Sequence, residues 1–368
     1  MHRRSFLTAS AAVLAAAAVP WSSSQARESL PLLRLNSNEN PLGMSPMARA
    51  AAADALAQGH RYSFGVEGLL AQEIAELEGV AKANVTIANG STGILEAVVW
   101  QQAMRGATLV QPQITFGAVG EIAAAARLER VDVPMLDGFR VDLEAMEAAA
   151  AKVDGPVLVY LVTPNNPTGL LTPSAAIEAW VRRAPDNVFF LIDEAYHELV
   201  DDPSYRSCVG LVQEERNNLL IARTFSKIYA MAGMRLGYAM GAAPVVEALQ
   251  QYYSSWSVNI AAMQAGRASL KDTEFRALSF SSNRAARDFT QNGLADLGLG
   301  FIPSQGNFLI HEIRMPLENY QQKMREAGIL VGRDMDLGYG WNRLSIGTAE
   351  EMKRFMTALG SLHAGGWS

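Results

Sequence analysis

Between residues 85 and 241 short unbroken apolar runs alternate with longer stretches of helical period. VTIANGSTGILEAVVWQQAM (85–104) reads as a strand, a glycine turn and a helix. ATLVQP (107–112) and VDVPM (131–135) read as short strands. PVLVYLVTP (156–164), VFFLIDEAY (188–196), NLLIART (218–224) and RLGYAMG (235–241) follow, with a helix expected over 173–183. Runs that are apolar throughout, rather than at every second position, leave no face for water. They predict a mostly parallel sheet covered by helices on both sides. Ahead of it, LLRLNSNENPLGMSP (32–46) reads as an extended, turn-rich arm, helical spacing is expected over 47–58 and 69–80, and HRYSFGVEGL (60–69) reads as a loop. Beyond about residue 260 the pattern changes. A long helical stretch over 261–295 leads to GLGFIPSQGNFLIHEI and RLSIGT, read as strands of a smaller α+β unit. The expected division is an arm with part of a small domain over 27–58, a large domain over 59–260 and a small C-terminal domain over 261–368.

With 368 residues, 49% of them hydrophobic, the chain can bury a large core. Net charge is −6 and no basic stripe is present, which argues against nucleic acid as a partner. The first 26 residues read as an export signal. Arg3 and Arg4 form a basic start, 9–19 is apolar, and Ser24-Gln25-Ala26 is a small-residue cleavage site. RRSFL resembles a twin-arginine signal, the route that exports folded proteins with cofactors already loaded. A periplasmic or exported protein is therefore expected, starting near Arg27. Apart from this segment no apolar run is long enough to span a bilayer. Cys208 is the single cysteine, so no intrachain disulfide can form and stability must come from the core. His60, His197 and His311 lack metal-ligand spacing and read as structural or surface residues, and no metal is expected.

The polar residues that interrupt this pattern fall at strand ends, where open α/β sheets bind ligands. VTPNNPTG (162–169) is a turn by its Asn, Pro and Gly content alone. Asp193 ends the run FFLI, and a buried carboxylate needs a hydrogen-bonding or cationic partner; a simple strand-end cap would also account for it. In TFSKIYAMAGMRLGY (224–238), Lys227 stands between the hydroxyls of Thr224 and Ser226 and an apolar run, with Arg235 beyond. A lysine of this kind is usually a surface residue with its stem laid on apolar neighbours. An amine among apolar groups is, however, also the form that attacks carbonyl carbon. Taken together these are the parts of a pyridoxal-phosphate site: a lysine for the aldehyde, a carboxylate for the ring nitrogen, and hydroxyls, a helix start and an arginine for the phosphate.

LNSNENPLG, NGSTGILEAV, TPNNPTG, IDEAYHEL, TFSKIYAMAGMRLGY and RLSIGT resemble, in this order and spacing, the motifs of the fold-type I pyridoxal-phosphate aminotransferases. The branch it most resembles is the histidinol-phosphate aminotransferases, and the matches run over 35–348. The resemblance implies an α/β large domain with a smaller α+β domain, pyridoxal 5'-phosphate as cofactor, and amino-acid and 2-oxo-acid substrates. It implies a Schiff base at Lys227, which then moves the proton between carbons, and Asp193 at the ring nitrogen. Tyr196 and Asn166 would bond the ring oxygen. Ser91, Thr92, Thr224, Ser226 and Arg235 would form the phosphate cup, and Phe116 would stack on the ring. Tyr62 would reach the cofactor of a neighbouring subunit, which implies a homodimer. Arg343 would clamp the substrate carboxylate and Asn38 would lie in the arm over it. Arg333 is open between the far end of a substrate and an ion pair with Asp334.

The pattern departs at Val119, where a second aromatic is common, and at Ser63, where the family often has proline. Histidine biosynthesis is cytoplasmic whereas the signal points to export, so the amino donor stays open. Decarboxylation or elimination in the same fold, and a non-enzymatic binder, are the rival readings; an intact Lys227 and Arg343 speak against the binder.

Overall fold

The central sheet runs, edge to edge, Val85–Ala88, Gly237–Gly241, Leu219–Thr224, Val188–Asp193, Val157–Val162, Thr108–Pro112, Glu129–Val133. The computed structural model describes residues 32–367, and the export signal read at 1–26 lies outside them. All neighbouring strands are parallel except Gly237–Gly241, which is antiparallel to both of its partners. Its direction follows from the connection. The segment 225–236 holds only a short 3₁₀ turn, Ala232–Met234, and no crossover helix to carry a parallel return.

Both faces of the sheet are buried, as unbroken apolar strands require, except along the edge strand Glu129–Val133, which is largely exposed. Val157, Val159 and Leu161 enter one apolar core with Phe190, Ile192 and Ile221. Leu158, Tyr160 and Val162 enter the other with Leu191, Leu220 and Val98. A third core, around Leu309, Leu344, Met352 and Phe355, packs against an antiparallel sheet of Phe301–Ile302, Phe308–Glu312 and Trp341–Ser345. The arm joins it: Leu33–Arg34 pairs in parallel with Ile329–Leu330.

Two expectations are corrected. The stretch 60–69 is not all loop, because a helix starts inside it and runs Phe64–Glu78. Gly65 and Gly68 carried the loop signal, yet packing on the helix Ile260–Lys271 outweighs their weak propensity. The helical stretch 261–295 is two helices, Ile260–Lys271 and Thr273–Asp296. Asp272 divides them; its carboxylate accepts the amide of Phe275 at 3.0 Å, which caps the second helix.

Candidate active site

The carboxyl ends of the central strands open into a cavity of about 570 Å³. Every residue named above for the cofactor or the substrate lines it except Tyr62.

At one end of the cavity the strand Val85–Ala88 passes through Asn89 into the helix Gly90–Ala103. Gly90 has φ +70°, and a Cβ on it would collide with the guanidinium of Arg235. A Cβ on Gly237 would collide with the backbone of Gly90 and Ser91. These two glycines let the helix start, with Ser91 and Thr92 in its first turn, lie directly against Arg235. Arg235 itself holds φ +57°, a left-handed conformation that a non-glycine residue adopts against strain. Its Nη1 donates to the carbonyl of Ala232 at 2.9 Å. Across from it, Thr224 donates to Ser226 Oγ at 2.9 Å. Free helix N–H groups, four hydroxyls and one guanidinium form a cradle for a dianion.

Asp193 lines the same cavity. It is buried, and it accepts the amide of Ala195 at 3.0 Å and the hydroxyl of Tyr160 at 3.3 Å. Burial pushes its carboxyl up to about 6, with the Ala195 and Tyr160 hydrogen bonds and the charge of Lys227 pulling only partly back. A carboxylate so placed has a use for a cationic N–H partner in the cavity. Lys227 Nζ lies 5.2 Å from the centre of the Tyr196 ring and donates to the carbonyl of Asn38 at 3.3 Å. The Tyr196 hydroxyl accepts from Asn38 Nδ2 at 3.1 Å and from Asn166 Nδ2 at 3.4 Å. Phe116 lines the cavity from the edge of the second core. An anion cradle, a nucleophilic amine and a buried carboxylate line one cavity, and these are the groups that the phosphate, the aldehyde and the ring nitrogen of pyridoxal phosphate call for, so the residues fit that group.

Arg343, on the strand Trp341–Ser345, faces the rest of the cavity. It donates to Asn166 Oδ1 at 3.1 Å and to the carbonyl of Asn36 at 2.8 Å, while its buried Nε has no partner among the described residues. Burial pulls its guanidinium below the usual arginine range, and the nearby charge of Arg333 adds to this. Arg333 and Arg325 also line the cavity. Of the two readings of Arg333, the ion pair with Asp334 is not formed; Asp334 accepts the amide of Asp336 instead. None of the three arginines is ion-paired among the described residues.

The arm crosses above. Asn38 is buried with φ +52°, its amide donating to Ser345 Oγ at 2.7 Å and its carbonyl accepting from Asn307 at 2.9 Å. Tyr160, Asn36, Asn307, Ser345, Gln321 and Arg325 were not picked out from the sequence. Tyr160 sits within an apolar strand with no local sign of a role. Tyr62 stands elsewhere, 74% exposed, edge-on to Trp256 at a ring distance of 6.2 Å. Val119 is core. His311 is buried in the third core, where Tyr320 approaches its Nε2 at 3.3 Å, so the ring is structural.

Residues 31–359 match the family model described as "Aminotransferase class I and II". A histidinol-phosphate aminotransferase of Symbiobacterium thermophilum is 36% identical over 329 residues, 89% of this chain and 90% of that protein. A solved structure from Erwinia carotovora atroseptica, provisionally assigned as a histidinol-phosphate aminotransferase, superposes with a TM-score of 0.89 at 38% identity, over 92% of this chain and 97% of that one. The histidinol-phosphate aminotransferase of Sinorhizobium meliloti, solved in complex with pyridoxal 5'-phosphate, gives 0.83 at 25% identity over 91% of each chain.

Proposed function

The chain belongs to the class I and II aminotransferases, and we propose that its amino donor carries a strongly anionic end, histidinol phosphate being the first candidate, with a 2-oxo acid as acceptor. It is a pyridoxal-phosphate-dependent aminotransferase. The observation behind the donor is three guanidinium groups in the cavity lining, Arg343, Arg333 and Arg325, none of them ion-paired among the described residues. Like charges gathered without counterions raise one another's energy, and an anion entering among them relieves it. The relatives named for a phosphate-bearing substrate support the same reading.

Bound in this cavity, pyridoxal 5'-phosphate supplies an electron sink for the pair of electrons left when the donor's α-carbon loses its proton. Ser91, Thr92, Thr224, Ser226, Arg235 and the helix start hold its phosphate. Asp193 would hold the proton on the ring nitrogen, and its buried surroundings would strengthen that interaction. Asn166 Nδ2 and the Tyr196 hydroxyl would hold the ring oxygen, and Phe116 in the cavity lining would pack on the ring. Lys227 Nζ takes the proton from one carbon and returns it to the next. Arg343 binds the anionic end of the donor, and the arm around Asn38 keeps water from the reacting atoms.

The test is the visible spectrum of the purified protein, titrated with histidinol phosphate, aromatic amino acids, glutamate and alanine. Bleaching of the cofactor band by histidinol phosphate and its return with 2-oxoglutarate support the proposal. Conversion by alanine or an aromatic amino acid, with histidinol phosphate inert, removes the anionic-donor reading. A band that no donor converts moves decarboxylation or elimination ahead.

A homodimer and an exported location belong to the same reading. Tyr62 and Trp256, at 74% and 65% exposure, present an aromatic pair at the surface, which supports a second subunit there. Sedimentation of the purified protein as a monomer at micromolar concentration would remove it. The signal over 1–26 supports export, and replacing Arg3 and Arg4 by lysine is expected to hold the protein in the cytoplasm on cell fractionation.

A further inference from the structure

The residue after Asp193 is Glu194, and the residue before Thr224 is Arg223. Neither lines the cavity, and they are 0% and 1% exposed. Arg223 Nε and Nη2 both donate to Glu194 Oε2, at 3.0 and 2.9 Å. Ser207 donates to the same oxygen at 2.7 Å and the amide of Cys208 donates to Oε1 at 2.8 Å, so the carboxylate is fully used. Arg223 Nη1 turns the other way, to Glu78 Oε1 at 2.6 Å.

Two dehydrated charges are a poor way to gain stability, because desolvation offsets most of their attraction and apolar side chains would pack as well. What distinguishes the pair is its place. Asp193 lies beside Ala222 in the sheet, and the amide of Glu194 donates to the carbonyl of Ala222 at 2.9 Å. Immediately beyond, the two chains diverge. One has just placed Asp193, and the other goes on to Thr224, Ser226 and Lys227. Arg223 and Glu194 join them at the last point before they part. A two-pronged guanidinium fixes direction as well as distance, which a packed apolar contact does not.

We propose that Arg223 and Glu194 are a positioning pair, which locks the strand end bearing Asp193 to the strand end bearing Lys227 and, with Glu78 on the far side of Arg223, sets the net charge behind Asp193. The proposal rests on the cofactor reading of the cavity given above.

Four variants of the full chain, loaded with pyridoxal phosphate, test it: R223K, R223M, E194Q and the R223M/E194Q double. Two readouts are used besides turnover, the cofactor dissociation constant and the pH midpoint of the absorbance change of the Lys227-bound cofactor. R223M leaves an extra negative charge behind Asp193 and is expected to raise the midpoint by about half a unit or more, and E194Q to lower it. The double variant returns the cluster, Glu78 included, to its wild-type net charge and with it the midpoint, yet it lacks the lock, so cofactor affinity falls roughly tenfold. R223K keeps the charge and loses the fork, with an unchanged midpoint and a similar loss of affinity. A pair that only supports the fold would lower thermal stability, leave affinity alone and move the midpoint in neither variant or in the same direction in both; that result overturns the proposal. Should the single charge-removing variants fail to fold, R223K and the double decide. Wild-type affinity in both overturns it, and the tenfold loss sustains it. Absence of any visible band in the wild-type protein would instead count against the cofactor reading itself.

Discussion

At Asp193 stability and chemistry pull in opposite directions. Its carboxyl is raised from about 3.8 to about 6 by burial. In the cofactor-free protein the unfolded chain therefore gives up this proton at lower pH than the native one, and stability falls as pH rises from about 4 through 6. The loss is on the order of 3 kcal/mol. Asp193→Asn removes it. The cofactor-free variant should match wild type near pH 4 and unfold at higher temperature above pH 6, while losing at least about a hundredfold in kcat once loaded. Equal melting profiles would show that the carboxylate is better solvated than its burial implies. Lys227→Ala should abolish turnover and still bind cofactor without a covalent link; an active Lys227→Ala enzyme would overturn the site. Arg343→Lys keeps a charge but not the fork that reaches Asn166 and Asn36. It should raise KM for the donor about tenfold or more, with a smaller change in kcat. These residues were legible because each is chemically out of place in its own segment: an acid after FFLI, a lysine before an apolar run. Tyr160 was not legible, because a tyrosine in a buried strand is ordinary until the strand beside it places Asp193 within 3.3 Å.

At the scale of elements, the turn from Val85–Ala88 into Gly90–Ala103 depends on one residue without a Cβ. Gly90→Ala must relieve both a φ of +70° and a collision with Arg235. It is expected to reduce stability by about 1–2 kcal/mol and to weaken cofactor binding severalfold, measurable by fluorescence titration. A variant that binds normally would mean that Arg235 is free to move aside. The strand Phe308–Glu312 carries a different signature. Burial pulls the ring of His311 down to about 4. The unfolded chain takes up this proton near 6.5, so the stability that depends on a neutral ring is complete above that pH and is lost as pH falls toward 4. The full effect is on the order of 3 kcal/mol. Urea midpoints measured from pH 7.5 down to 4.5 should fall, and should fall less steeply in His311→Gln. The sheet strands themselves were legible, because an unbroken apolar run has few alternatives. The helix break at Asp272 was not, since Asp can equally ride on a helix surface; its cap bond to Phe275 decides the matter.

In the whole molecule the cavity draws on segments spread from residue 36 to residue 343. The arm supplies Asn38, the strands of the central sheet supply Asp193 and Thr224, and the third core's sheet supplies Arg343. A ligand that contacts all of them binds the native state alone, so loading with pyridoxal phosphate should raise the melting temperature in step with the logarithm of its concentration. If the aromatic pair of Tyr62 and Trp256 lies at a subunit contact, Tyr62→Ala should lower both cofactor affinity and the apparent mass in sedimentation.

What the sequence by itself determined was local in origin. The apolar runs prescribed buried strands, and the polar residues at their ends marked where chemistry could be placed. The order of the motifs, NGSTG to RLSIGT, identified the kind of site. Such signals survive because they depend on neighbours within a few residues. What only the tertiary structure decided was who meets whom. Arg223 finds Glu194, Asn307 finds the carbonyl of Asn38, and Arg343 finds Asn166, across 29, 269 and 177 positions of chain. A hydrogen bond reaches about 3 Å. Whether two distant residues come that close is set by strand register and by the path of the connections, which the spacing of residues along the chain does not encode.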